Sequence, residues 1–436
     1  VTAHETPPPA TTRGISFVHV TQLAEIIRET RRYPSGLTRA DLAETLTMGR
    51  NAVDRRLQTL TEIGVLVPAG RGVSTGGRAP QMWRFNPDVA TVLVLAVSYR
   101  RSTAALMTLG GTVVERATWD EGLLDGPHTV LASAQHHLEE LRHCRPDLPG
   151  PWTVGVSLPI PVDFRDGSIV PPVTGAADGD SDWTGFPIRS RLTQALGLSV
   201  WVDDEVNTLA LAASMRIGAP KDLLYIRLSL GLGMGIVSSE QVHRGVGAAS
   251  GEIAHIQISG AGGSRCRCGR RGCLETHVSG GAMEATASTA QALRSSPYLR
   301  EVMSERNVIH DRDVFRGVAQ GDRVCRRIVT EAADKLATVL AVLATTYNPG
   351  EVILGGDIAI AGDYVRTVVT QSMSQRVLPV TAARLRIRMG GTDDSLVGAC
   401  ALATERILNP HVLYSWLPHA TPVGVEALLK HRRQDG

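Results

Sequence analysis

The segment from His255 to Glu275, HIQISGAGGSRCRCGRRGCLE, restricts this chain more than any other stretch. Cys266, Cys268 and Cys273 stand as C-x-C-x4-C behind His255. Three thiolates and one imidazole are the donor set of a closed, four-coordinate zinc site, with no open position for an activated water. His255, Cys266, Cys268 and Cys273 are therefore the expected metal ligands, and the Zn2+ they hold is structural. The alternative is three buried free thiols beside a core histidine. Gly269, Gly272 and the flanking arginines Arg265, Arg267, Arg270 and Arg271 argue against it, because structural cysteines favour apolar surroundings. Glu252 and Glu275 stand on either side of the cysteines. Fixed carboxylates beside a rigid loop suit a ligand with many hydroxyls.

A chain of 436 residues is too long for one ordinary domain, so two or three are expected. A hydrophobic content of 43% describes a soluble globular protein with ample core. The net charge of +2 excludes a polycation, so any nucleic-acid surface is local. Cys144, Cys325 and Cys400 are scattered and read as small core residues. The first residues, VTAHETPPPATT, lack the basic start and apolar run of a secretory signal. Leu336 to Leu343 is far shorter than the ~20 apolar residues of a membrane span. A cytoplasmic protein without membrane contact is expected.

Residues 1–14 are Pro/Thr-rich and read as a disordered tail. Phe17 to Arg32 has helical periodicity, and Pro34-Ser35-Gly36 breaks it. Thr38 is positioned to cap a short helix, with Asp41 three residues on. Thr47-Met48-Gly49 makes a turn, and a second helix runs from about Arg50 to Ile63. Two short helices across a tight turn form a helix-turn-helix. The outer face of the second helix carries Arg50, Asn51, Arg55 and Gln58, residue types that read guanine and adenine edges in the major groove. A hairpin of Val65–Pro68 and Gln81–Phe85 follows as a wing, with Arg71 and Arg78 at its tip. Residues 13–90 hold eleven arginines against seven acids, so this module is basic within a near-neutral chain. Arg39, Arg50, Asn51, Arg55, Gln58 and Arg78 are the expected DNA contacts.

GEIAH at 251–255, CRCGRRGCLE at 266–275 and Ser279 together resemble the signature of the ROK family of repressors, open reading frames and sugar kinases. LTRADLA at 37–43 and STGGRAP at 74–80 resemble the DNA-binding half of the family's repressors, which its kinases lack. Past residue 90, apolar strands and helices repeat twice: TVLVLAV opens one set and LLYIRLSL the other. The fold class expected is α/β, an N-terminal winged helix-turn-helix followed by a duplicated actin-like ATPase/sugar-kinase (RNase H-like) fold. The resemblance places ligands in the cleft between the two lobes, with Glu252, His255 and Glu275 around a sugar.

Departures from the family's kinase pattern are informative. Kinase members open the first lobe with D-x-G-G-T-K; here the stretch is Ala96-Val97-Ser98-Tyr99-Arg100-Arg101. Bulky Tyr99 and Arg100 obstruct the close backbone approach that cradles phosphates. A second phosphate turn survives in part at 231–235, GLGMG. The catalytic E-N-D-x-N becomes Asp203-Asp204-Glu205-Val206-Asn207. Glu205 thus stands at the position of the kinase base, and Asp204 at that of a sugar-binding asparagine. The extra methylene of glutamate moves the oxygen by about an ångström, and misplacement on that scale costs ~100-fold in rate. No catalytic residue is expected, while Asp204, Glu205, Glu252, His255 and Glu275 are the expected sugar contacts.

The division expected is a tail at 1–14, the winged helix-turn-helix at 15–90, lobes at 91–220 and 221–410, and an extension at 411–436. The function expected is a DNA-binding regulator, a repressor of carbohydrate metabolism, that senses a sugar or sugar derivative. Its partners are a double-stranded operator and a carbohydrate effector, and a homodimer or homotetramer places paired reading helices ~34 Å apart on the duplex. Two alternatives stay open: a sugar kinase with residual activity, and a DNA-binding regulator whose second half is a ligand-free scaffold.

Overall fold

The computed structural model describes residues 16–72, 79–170, 182–260, 263–391 and 393–430. The tail expected at 1–14 and Arg78 at the wing tip lie outside these residues. Helix Phe17–Arg32 buries Val20, Leu23, Ile26 and Ile27 on one face. Strand β1 (Leu37–Thr38) leads into helix Arg39–Thr45. Thr38 and Asp41 form the full capping box: Thr38 N donates to Asp41 Oδ2 at 2.8 Å, and Asp41 N to Thr38 Oγ1 at 3.2 Å. Thr47 takes φ 52°, and Met48 N bonds Ala43 O, which closes the turn into helix Arg50–Glu62. Strands β2 (Leu66–Arg71) and β3 (Gln81–Phe85) make the wing. The wing sheet has three strands rather than two, in the order β1-β3-β2. A two-residue strand has no periodicity to read, and only its pairing with Met82 and Trp83 defines it.

The first lobe holds β4 (Thr91–Val97), β5 (Ser102–Thr108), β6 (Val113–Trp119), β7 (Pro151–Leu158), the side hairpin β8 (Val162–Asp163) and β9 (Ser168–Ile169), and β10 (Ser199–Asp204). Its sheet runs β10-β7-β4-β5-β6, with β4, β7 and β10 parallel and β5 antiparallel to both neighbours. The second lobe holds β11 (Leu223–Leu228), β12 (Leu232–Ser238), β13 (Gln241–Val242), β14 (Glu351–Gly355) and β15 (Arg386–Met389). Its sheet runs β13-β12-β11-β14-β15 with the same strand directions. In both lobes the first strand lies in the middle, an antiparallel pair extends one edge, and two parallel strands extend the other. The duplication expected from sequence is therefore a repeat of topology.

Each lobe lends a helix to the other. Helix Glu205–Ser214 leaves β10 and packs on β11 and β12 of the second lobe. Helix Asp394–Ile407 follows β15 and packs on β4 and β7 of the first lobe. The contacts are backbone-close. A Cβ at Gly155 would overlap the carbonyl of Ala399, and one at Gly235 would overlap the carbonyl of Val206. The two helices meet where Gly398 lies against Thr208.

The same helix reaches the N-terminal module. Beyond Ile407, helix Pro410–Trp416 sets Trp416 5.3 Å from Trp152 and His411 4.6 Å from Phe17. One apolar core joins Leu23 and Leu57 of the N-terminal module, Val92 and Met107 of the first sheet, and Leu402 and Trp416 of the C-terminal helices. Gly155→Ala should push helix Asp394–Ile407 off the first sheet and cost about 1–3 kcal/mol, read as a lower urea midpoint. An unchanged midpoint would contradict the close contact.

Candidate functional site

The cysteine loop is built against β12. Gly251 takes φ +93°, and a Cβ there would overlap the carbonyl of Met234, so glycine alone lets the loop lie this close. A short turn, Ile253–His255, then presents the imidazole. Cys266 N bonds Arg270 O at 2.8 Å and Gly269 N bonds Cys266 O at 3.0 Å, which folds the three thiols inward. The donor atoms of His255, Cys266, Cys268 and Cys273 lie within 4.8 Å of one another. Cys268 Sγ is 3.6 Å from Cys273 Sγ, and Cys266 Sγ is 3.5 Å from His255 Nδ1. A tetrahedral ion with Zn–S bonds of ~2.3 Å sets its donors roughly 3.5–3.8 Å apart, so this set fits zinc. Burial opposes ionisation of Cys268, but hydrogen bonds from Arg270 outweigh it and bring the thiol down to about 7.

Between the lobes lies a cleft of about 510 Å³. Leu123, Pro159, Ile160 and Trp183 form an apolar wall from the first lobe, and Ala249, Glu252 and His255 face them from the second. Trp183 is held in place by its Nε1, which donates to Leu123 O at 2.9 Å. Asp204 is buried on the cleft floor, where it caps helix Glu205–Ser214 by accepting from Val206 N at 3.1 Å. Burial, then the charge of Glu252, holds its carboxyl well above the usual range. Glu252 is also raised, by burial first. Burial favours the protonated forms of both groups, and their oxygens are placed to meet hydroxyls.

Two of the five expected sugar contacts have other partners. Glu205 Oε2 lies 2.8 Å from Arg227 Nε with both side chains buried, and Glu205 Oε1 accepts from Ser395 Oγ at 2.7 Å. Glu275 sits behind the cysteine loop and grips Arg267 at 2.8 Å. His255 turns Nδ1 to the thiols, and its Nε2 lies 4.0 Å from Glu252. Sequence reasoning passed over Arg227 and Trp183 and took Arg267 only as a charge flanking the cysteines; all three line the cleft. The one signal for Arg227 is a charge inside the otherwise apolar strand LLYIRL, where an unpaired cation would be too costly to bury.

Next to this cleft, on the side that holds phosphate in the kinase pattern, Tyr99 and Arg100 line an open space of about 1080 Å³ with Asp357 and Gly391. The ring of Tyr99 lies between the guanidinium groups of Arg227, at 5.3 Å, and Arg267, at 5.5 Å. Its hydroxyl accepts from Arg267 Nη2 at 3.1 Å and rests on Gly231 of the partial phosphate turn. Arg100 reaches across to the second lobe and makes a two-pronged pair with Glu284, at 2.7 and 3.1 Å.

The raised carboxyl of Asp204 leads to a stability prediction. A carboxyl raised in the folded state binds more protons than the unfolded chain does, so its contribution is full below the ordinary carboxylate pKa and is lost as pH rises through the folded value. Asn caps as well as Asp and carries no charge. Asp204→Asn should therefore raise stability at pH 8, with the gain shrinking as pH falls toward the ordinary carboxylate range. A loss of stability at pH 8 in urea melts would contradict the placement of Asp204.

Comparison with known proteins agrees with this architecture. The ROK family profile matches residues 111–406. The xylose repressor of Caldicellulosiruptor bescii is 24% identical over 380 residues, spanning 86% of this chain and 93% of that protein. A glucokinase of Halalkalibacterium halodurans is 28% identical over 311 residues, spanning 69% of this chain and 91% of its own length. A solved ROK family transcriptional regulator, described as a homolog of the E. coli MLC protein, has the same fold, with a TM-score of 0.76 at 21% identity over 93% of this chain and all of that one. Among the described residues no helix is long and apolar enough to cross a membrane. A profile that covers most of both lobes, on a duplicated sheet carrying a loop of one histidine and three cysteines, means that this chain belongs to the ROK family.

Proposed function

We propose that this protein is a transcriptional repressor whose kinase-derived lobes sense a sugar and do not phosphorylate it. The observation that carries the reading is Tyr99, wedged between two arginines on Gly231, where a kinase needs open backbone for phosphate. The engagement of Glu205 by Arg227 supports it, since a carboxylate held by a buried guanidinium is a poor base. The glucokinase relative is the reason to test the point.

In the N-terminal module Arg50, Asn51, Arg55 and Gln58 are exposed on the second helix of the helix-turn-helix. Arg39 is exposed and pairs with Asp54 at 2.7 Å. An exposed pair is worth little, so a DNA phosphate can recruit Arg39 away from it. We place these groups on an operator, as a dimer on paired half-sites. The xylose repressor relative supports the assignment. The Zn2+ held by His255, Cys266, Cys268 and Cys273 has the role of fixing the loop that carries Glu252, so that His255 Nε2 and Glu252 are pre-set for hydroxyls. Sugar binding acts on DNA through the lent helix Asp394–Ile407, which joins the lobes to the N-terminal module. A 100-fold preference of the sugar for one lobe arrangement supplies ~2.7 kcal/mol, enough to empty an operator over a modest range of concentration.

On an operator selected from random duplexes, Arg55→Ala should lose about 1–3 kcal/mol of binding while sugar binding stays intact. Full operator affinity would remove Arg55 from the interface. In a thermal-shift screen of neutral monosaccharides that includes xylose and glucose, saturating sugar should raise the melting temperature of the wild type, and Glu252→Ala should abolish the rise. Steady sugar-dependent ADP production would contradict the proposal.

A further inference from the structure

A second cavity, of about 740 Å³, lies where the N-terminal module, both lobes and the lent helices meet. It shares no wall residue with the sugar cleft. Its walls carry seven arginines and two acids, Glu240 and Glu405. Four of the arginines are matched: Arg31 by Glu405, Arg32 by Glu240, Arg216 by Glu351 and Arg244 by Asp203. Arg28, Arg84 and Arg406 are in no salt bridge among the described residues. The side chain of Arg406 lies 4.9 Å from the Phe164 ring and 5.9 Å from the Trp201 ring, and Arg244 stacks on Phe164 at 4.5 Å. Burial, then the charge of Arg244, pushes the Arg406 guanidinium down to about 10. The carboxylate of Asp203 acts on Arg406 but is already held by Arg244, so an arginine set between aromatic rings here has room for a further anion.

We propose that this cavity is a binding site for a small phosphate-bearing metabolite, gripped by Arg406 with Arg28 and Arg84. Planar guanidinium forks match phosphate oxygens two at a time, and a cavity of this size holds a metabolite. Duplex DNA presents its phosphates on a convex surface and does not enter. Each wall belongs to a different part of the molecule: Arg28 and Arg84 to the N-terminal module, Arg406 to the lent helix, Phe164 to the first lobe and Arg244 to the second. A bound phosphate therefore ties the DNA-binding half to the hinge, as a second input separate from the sugar.

The test is calorimetric titration of the full chain with glycerol 3-phosphate, ribose 5-phosphate and inorganic phosphate, with glycerol as the neutral control. The phosphate probes should bind and glycerol should not. Arg406→Gln should weaken binding by about tenfold or more, while Glu252→Ala leaves it unchanged. Tighter binding of the esters assigns a metabolite, and equal binding of inorganic phosphate assigns the free ion; both support the site. If Arg406→Gln fails to fold, Arg28→Gln, on the exposed face of its helix, takes its place with the same expectation. No binding at millimolar concentration, undiminished binding in a folded arginine variant, or loss in Glu252→Ala alone would overturn the proposal. So would a variant that loses only duplex affinity, because the surface would then belong to DNA.

Discussion

Two glycines in the strands carry the mechanical consequence of this fold. Gly155 and Gly235 let a helix from the opposite lobe lie directly on the sheet, backbone against backbone. Side chains at such a contact act as spacers; without them the helix has a single seat and little freedom to slide. The two lent helices cross in equally close contact at Gly398 and Thr208. Helix Asp394–Ile407 belongs to that crossing, and the chain beyond it packs on the first helix of the N-terminal module. The lobes and the N-terminal module are thus joined through one continuous packed core.

Charge organises the lobe junction. Tyr99 lies on Gly231 between the guanidinium groups of Arg227 and Arg267, and Arg227 holds Glu205. Arg267 links this cluster to the cysteine loop by gripping Glu275 while touching Tyr99. The cysteine loop, Tyr99 on Gly231, and the Arg227–Glu205 pair are thus one connected network. Beside it lies the cleft with its apolar wall and the carboxyls of Asp204 and Glu252, both held above their usual range by burial.

Much of this was legible in the chain because the signals are local. The capping box at Thr38 and Asp41, the periodicity of the reading helix, and the Cys spacing each act within a few residues, and each has its expected geometry. The alternating strands likewise announced two α/β lobes. Contacts between distant segments were harder to read. Glu205 and Arg227 are 22 positions apart, and only the oddity of a charge in LLYIRL marked one of them. The wing's third strand is two residues long and exists through its partner. Gly155 and Gly235 lie inside apolar strands, but nothing in the sequence says which helix approaches them. Glu275, expected around the sugar, grips Arg267 and stands 4.0 Å from His255, a pairing that spacing alone does not reveal.

The most direct test of the central claim is fluorescence anisotropy of a labelled operator duplex with the zinc-loaded protein, titrated with the sugar that raises its melting temperature, with ATP absent and then present. The account predicts that sugar releases the duplex without ATP, and that adding ATP neither changes the midpoint nor yields ADP. Release that requires ATP, or ADP formation that follows the sugar while the operator stays bound, would contradict it.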